Sequence, residues 1–404
     1  MSACTAAHPA KAYLRTIDYR RFEEGIAMRF LALFAMLAGL TTPLFANDPI
    51  SVNDLAEMVA ASHGKPDSVL AKQLYDLKLT ERLSTARLAG LEAELPSKES
   101  RKALLALADA SAFLDLPASD IPATAPLDRT AQQQLLQKSI DYVKKQIPLW
   151  PDFLATEAVI QFSDVPPKAA RNGNNQPYNE KLHLVSESSA TIRFLAGKEE
   201  VASEPAHGKA ATPGGSHLSV QGVFGPIFSV LLKDVLVSNP TWSHWEVGTG
   251  GPMAVFRYQV PRDSSHYVVQ HGEGQGLLAP FEAYHGEIGL DSETGAILRL
   301  TLIAEVRAKS PVARADILVE YGPQKLGGKS YICPVKSVAI SLARELIPLE
   351  GLYSYRLSEL PPFKFELNDT AYTEYHLFHS EVRVLSGDSP AESGPIAAPA
   401  HPQR

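Results

Sequence analysis

The sequence predicts an α+β protein: a helical N-terminal domain followed by a long curved antiparallel β-sheet, half-barrel-like, with one apolar helix packed against it. Three observations carry this. Apolar residues recur at helical spacing from residue 51 to 147. Past Pro148 and Pro151 the period falls to two. The turns between the later segments are short, which joins successive strands as antiparallel neighbours.

The first element is a targeting segment. Phe30 to Leu40 is apolar and uncharged, Arg29 precedes it, and Leu44-Phe45-Ala46 closes it with a small residue. This is the order of a cleavable secretory signal over residues 28–46, and the run is short for a membrane anchor. The expected product is an exported protein, periplasmic or extracellular, with no transmembrane segment after cleavage. Residues 1–27 sit awkwardly before a signal and read as an extension upstream of a start at Met28.

Helices follow over 47–150. Ser51 and Asn53-Asp54 are capping residues ahead of Leu55, Met58 and Val59; Pro66-Asp67 opens a second stripe through Val69, Leu70, Leu74 and Leu77. Thr80 to Leu91 continues it or starts another, Pro96-Ser97 breaks and caps, and Leu104, Leu105, Leu107, Ala108 and Phe113 form the next face. Residues 115–128 are a Pro-containing link, and Gln132 to Lys145 is the last helix, with Leu135, Leu136, Ile140 and Val143 inward. These stripes are core faces.

Strands are expected at 158–162, 182–185, 191–195, 242–247, 254–260, 266–271, 284–290, 297–306, 315–321, 331–341 and 371–384, within a β domain spanning 151–385. In the last of them one face carries Tyr372, Glu374, His376 and Phe378 by strict alternation. The stretch Phe224 to Leu236 is apolar nearly all round, so it is the helix expected against the sheet. Residues 165–180 and 201–217 read as polar loops, and the Pro-rich tail from 386 as disordered.

Composition narrows the function. The chain has 404 residues, 45% apolar and 21% charged, with a net charge of −7. Residues 1–46 carry five basic and three acidic groups, so the remainder is more acidic still, which argues against a nucleic-acid partner. Of the two cysteines, Cys4 lies before the signal, and Cys333 alone forms no internal disulfide. Cys333 reads as a buried structural thiol in a strand.

Catalytic motifs are sparse. Gly214-Gly-Ser216-His217 lacks the trailing glycine of a nucleophile elbow. Gly322 to Ser330 has the letters of a phosphate loop, but the first glycine position is Pro323 and the segment joins two strands, so a hairpin is expected. No His-Glu-x-x-His occurs. Among the histidines, His271 and His285 with Glu287 are the metal-ligand candidates, and half-buried sheet histidines are the simpler reading. No cofactor is implied.

The aromatic residues Trp242, Trp245, Phe256, Tyr258 and Tyr267 gather in sequence. With Phe224 and Phe228 of the apolar helix, the first four are the candidate lining for an apolar ligand, and core and edge packing is the simpler reading. Trp242 and Trp245, three apart, are expected on opposite faces of their strand.

Two resemblances bear on this. Leu79 to Ser84, Leu107 to Phe113, Phe153 to Thr156 and Tyr321 to Lys329 resemble a group of exported bacterial proteins with no assigned activity, which implies export and two-part architecture and transfers no catalytic residue. Tyr284 to Arg299 is similar to the hairpins of periplasmic lipoprotein carriers, which implies a half-barrel. That hairpin pattern is common to many antiparallel proteins, and the helical half has no counterpart there. The reading is a non-catalytic envelope protein that shelters an apolar ligand, such as a lipid, or a partner segment on a curved sheet. A metal-dependent or hydrolytic enzyme and a structural partner of another envelope protein are the alternatives.

Overall fold

A computed structural model describes residues 48–95, 97–164, 181–203, 234–235, 238–248, 251–269, 281–307, 310–344 and 362–378. The signal segment, Phe224, Phe228, His271, His379, the 165–180 loop and the tail from 386 lie outside them. From Pro49 on, the chain forms one unit.

Helices α1 (Val52–Ala60), α2 (Asp67–Tyr75), α3 (Thr85–Glu94) and α4 (Lys98–Ala110) come first. A reciprocal cap starts α1: the Ser51 hydroxyl accepts from the Asp54 amide, and the Asp54 carboxylate accepts from the Ser51 amide. The expected helix from Thr80 begins five residues later. Thr80 instead donates its amide to Ile50 O at 2.9 Å, beside an isolated parallel bridge between Ile50 and Leu79. Leu55, Val59, Leu70, Leu74, Leu91, Leu104 and Leu107 close a core among these four helices.

Helix α5 (Arg129–Gln146) leads into ten strands. They are β1 (Phe153–Ser163), β2 (His183–Leu195), β3 (Lys198–Ser203), β4 (Thr241–Gly248), β5 (Gly251–Val260), β6 (Ala283–Asp291), β7 (Ile297–Glu305), β8 (Val312–Leu326), β9 (Lys329–Ala343) and β10 (Lys364–Leu377). They form one open, curved, wholly antiparallel sheet in the order β3-β2-β1-β10-β9-β8-β7-β6-β5-β4. Only the β1–β10 pairing joins strands distant in sequence; every other neighbour is a hairpin partner or a direct successor. The two edges, β3 and β4, are consecutive in the chain. At about 4.8 Å per strand the sheet is roughly 40 Å wide.

Both faces are covered. On one, which we call the α4 face, Ala106 of α4 and Ala112 pack against Phe162, Leu318, Val338, Ile340 and Leu367. On the other, the α5 face, Leu135 and Val143 of α5 pack with Phe153, Phe194, Phe256, Tyr284, Val319 and Tyr321. Alternation keeps the two sets apart: Leu318 serves one face and its neighbour Val319 the other.

Beyond longer strand ends, as in β1 and β8, the sheet departs from the expected segments as follows. Residues 182–185 and 191–195 belong to one unbroken strand, β2, because its polar middle pairs in register with β1 from Ser186 to Ala190. Residues 201–203, expected as loop, are the end of β3. The 266–271 segment is not a strand over its described part, which has only an isolated bridge from Val268 to Phe281 after a single 3₁₀ turn at Arg262–Ser264. The last strand starts seven residues early and its described length ends at Leu377.

Candidate ligand-binding face

The aromatic candidates meet on the α5 face at the edge formed by β4. Phe256 is fully buried and pairs across strands with Trp242. Strict alternation would then send Trp245 to the other side. It does not, because a bulge between Trp242 and His244 inserts Ser243 as an unpaired residue, and Trp245 comes opposite Ala254. Both indoles therefore lie on one face, 5.2 Å apart and edge-on, with Trp242 a further 5.5 Å from Phe256. The expectation that the two tryptophans face opposite ways is corrected by that one residue. Both remain half-buried, and Trp245 Nε1 donates to Ala125 O at 2.8 Å. That bond ties the aromatic edge to the segment entering α5.

The same device recurs in β10. Glu374 sits at φ +50°, and the register with β1 slips between Leu154 and Thr156. Tyr372 and Tyr375 consequently both enter the α5 core, in place of the expected Tyr372, Glu374, His376 and Phe378 face. Tyr375 stacks near Phe153 (5.4 Å), which stacks on Phe194 (5.0 Å); Trp150 closes on both. All three tryptophans of the chain, Trp150, Trp242 and Trp245, thus pack against the α5-face core.

Tyr258, the fourth candidate, is buried on this face, and its hydroxyl donates to Thr301 O at 2.6 Å. It crosses Gly286 to do so: a Cβ there would lie 2.0 Å from Thr301 O and 3.0 Å from the phenol oxygen. Burial pushes the Tyr258 phenol far above its ordinary range, and the same holds for Tyr267 and Tyr284, so all are neutral donors.

One polar constellation on this side escaped the sequence reading. Asp234, with its side chain wholly buried, accepts from His266 Nδ1 at 2.5 Å, from the His266 amide at 2.8 Å and from the Tyr284 hydroxyl at 2.8 Å. The His266 ring is half-exposed and lies 6.1 Å from Phe281. Asp234 falls inside an apolar run, and a lone acid in such a run is a signal for a buried partner.

His285 and Glu287 lie on the α4 face instead, two apart on β6. Glu287 is held by Arg257 Nε (3.1 Å) and Arg299 Nη2 (2.9 Å), and His285 Nδ1 is 3.2 Å from Glu305. Two guanidiniums occupy the carboxylate that would bind an ion. Among the described residues no group of three His, Cys, Asp or Glu converges for a metal. Arg299 also pairs with buried Glu246 at 2.5 Å, and Glu246 with Arg82 at 2.7 Å, so the helical part is bonded to the sheet. Near α4, Lys336 bridges buried Asp109 (2.7 Å) and Asp369 (2.6 Å).

Two further motifs are structural. Gly327 and Gly328, both at positive φ, turn β8 into β9, so the phosphate-loop letters are a hairpin. The expectation that the chain has no Ser-x-x-Lys is corrected by Ser62-His-Gly-Lys65, whose buried Ser62 hydroxyl donates to Val59 O at 2.6 Å and caps the end of α1. Cys333 is fully buried in β9, and burial pushes its thiol up to about 12.

Compared with protein-family models, with curated proteins and with solved structures, this chain matches none.

Proposed function

We propose that this is a non-catalytic, exported envelope protein that shelters an apolar ligand along the α5 face of its sheet. The observation that carries the reading is the half-exposed Trp242–Trp245 pair at the β4 edge, continuous with a buried aromatic and aliphatic layer that runs to Phe194 at the other end. A half-exposed indole pair beside a sheet edge is a surface that gains by being covered, since apolar area removed from water is worth about 25 cal/mol per Å². Helix α5 is the natural cover to move: among its described residues the buried side chains are Leu135, Ser139 and Val143, and the Trp245–Ala125 bond links its entry to the edge.

Tryptophan emission reads this face directly. Delipidated protein titrated with palmitate and with a diacylated lipopeptide should show a saturable change in emission. Trp245→Ala should weaken binding by about 2 kcal/mol, a factor of about thirty, for roughly half of an indole's area. No saturable change with either probe refutes the reading.

The His266–Asp234 pair favours a second reading, a hydrolytic enzyme. A buried carboxylate that fixes Nδ1 of an exposed imidazole leaves Nε2 available as a general base. Hydrolysis of p-nitrophenyl esters, abolished in His266→Ala, would support it; equal rates in both proteins would end it.

A further inference from the structure

Beneath α4 the sheet carries three ionisable groups that neither functional reading uses. Lys336 of β9 and Asp369 of β10 are diagonal neighbours on the α4 face: Lys336 pairs across strands with Ala371, and Asp369 stands two residues before it on the same side. Asp109 reaches them from α4, one turn after Ala106, which lies in the apolar cluster with Leu318, Val338 and Leu367. Lys336 Nζ is 2.7 Å from Asp109 Oδ1 and 2.6 Å from Asp369 Oδ2. The carboxyl side chains are 4 and 8% exposed and the lysine 24%.

One ammonium cannot balance two carboxylates in a site closed to water. The surplus charge is relieved by taking up a proton. Burial pushes the Asp109 carboxyl well above its ordinary range, against the pull of Lys336, so Asp109 is the group that holds it. The resting triad is then an ammonium, a carboxylate and a carboxylic acid, which differs from an amine beside two acids only in where one proton sits. Asp369 Oδ2 makes no hydrogen bond among the described residues despite the 2.6 Å approach of Nζ. The nitrogen therefore meets this carboxyl off the line that a hydrogen bond takes.

We propose that Lys336 and Asp369 condense to an intramolecular isopeptide bond, with Asp109 as the acid of the reaction. A proton passes from Lys336 Nζ to the Asp369 carboxylate, and the freed amine attacks Cγ. The C–N bond forms, Asp109 protonates the departing hydroxyl as the C–O bond breaks, and Asp109 takes back a proton from the nitrogen. One water leaves and Asp109 ends as it began, so no oxidant or cofactor is needed. Burial by itself lowers the Lys336 amine, but the charges of Asp109 and Asp369 outweigh it and push it up. The neutral amine is thus the minor form, and condensation is slow and follows folding. The product replaces a buried ion pair by an amide, which removes the cost of two desolvated charges. It also ties β9 to β10, the strand that closes on β1, and adds to whatever stability the charges of the open triad supply.

Mass spectrometry of the full-length protein, denatured and cut with trypsin, tests this. The expected product is a branched peptide: Ser330–Arg344, uncut at Lys336, joined to Phe365–Arg383 and lighter by one water than the two together. Asp109→Asn keeps the shape and removes the acid, so its branch should form about a hundredfold more slowly. Wild-type protein held in urea from inclusion bodies should gain no branch, and should gain it after refolding, which reads the geometry without any variant. Separate Ser330–Lys336 and Phe365–Arg383 peptides from folded wild type, with no branch, overturn the proposal and leave an ion triad only. A branch that forms equally fast in Asp109→Asn, or in urea, overturns it as well.

Discussion

Replacing Glu246 by Gln tests whether the buried ion network holds the helices to the sheet. The side chains of Arg82, Glu246 and Arg299 are 7, 11 and 4% exposed. Burial by itself would raise the Glu246 carboxyl. His244, with Nε2 3.5 Å away, and the charges of Arg299 and Arg82 outweigh it and hold the group down at about 2, against an ordinary 4.5. A carboxyl depressed by that much contributes about 3 kcal/mol to stability at neutral pH. The sign is fixed by the direction of the shift: the contribution is whole above 4.5 and fades as pH falls toward 2. At pH 3 about 1.4 kcal/mol of it remains by the same linkage relation. The amide keeps the shape and removes the charge, leaving Arg82 buried without a counter-ion, so the loss at pH 7 should reach about 3–5 kcal/mol. Urea unfolding followed by tryptophan emission measures both proteins at pH 7 and pH 3. The gap between them should narrow by about 2 kcal/mol on acidification. A gap that is the same at both pH values, or absent at pH 7, refutes the electrostatic account.

Three other outcomes follow from the packing. Gly286→Ala should lower stability by about 1–3 kcal/mol because its methyl would meet the Thr301 carbonyl at 2.0 Å, whereas Gly90→Ala, mid-helix with nothing within 4 Å, should raise it by about 0.5–1 kcal/mol; thermal melts compare the two. Lys336→Met leaves Asp109 and Asp369 buried and facing each other, so about 3–5 kcal/mol should be lost at pH 7, with part regained as acid protonates Asp109, whose burial favours the neutral form; urea midpoints from pH 7 to pH 5 read this. Cys333, buried and with its thiol pushed up to about 12, should resist dithionitrobenzoate at pH 8 until the protein is unfolded, and prompt labelling of the native state would contradict its placement.

The fold was legible where local patterning decides it. Period-two runs and short turns located nine of the ten strands at least in part, and the 3.6-residue stripes located the helices, because a half-buried strand and an amphipathic helix each write their burial into spacing. What was illegible is non-local. Nothing in residues 153–163 or 364–377 announces that β1 closes on β10, a pairing that spans the whole β region. Thr80 is helix-permissive by composition, yet a bridge to Ile50 takes its amide. The weak strand β3, Lys198 to Ser203, was missed, its end falling in the expected 201–217 loop, because its charges suit an edge, where they discourage pairing with other chains.

The candidate site failed in sequence for a related reason, and here a sharper rule was available. Alternation assigns Trp242 and Trp245 to opposite faces, and likewise Tyr372 and Tyr375. In each case one large aromatic would then be turned away from the core that takes the other. Burying an aromatic side chain is worth about 1.5–3 kcal/mol, and the bulge leaves only one small or polar residue unpaired. Ser243 and Glu374 are such residues: one has a short hydroxyl, the other lies at φ +50° with its carboxylate accepting from Thr156 at 2.7 Å. Two aromatics spaced i and i+3 across a polar residue in a strand therefore favour a bulge over alternation. Applied to this chain, that rule puts Trp242 with Trp245 and Tyr372 with Tyr375 on one face of their respective strands before any coordinate is known. His285 and Glu287 alternate with the buried Tyr284 and Ile288 of β6 and so point the other way. The gathering of both aromatic pairs on the apolar face follows from two inserted residues, and deleting Ser243 should send Trp245 into the α4 side and abolish its bond to Ala125.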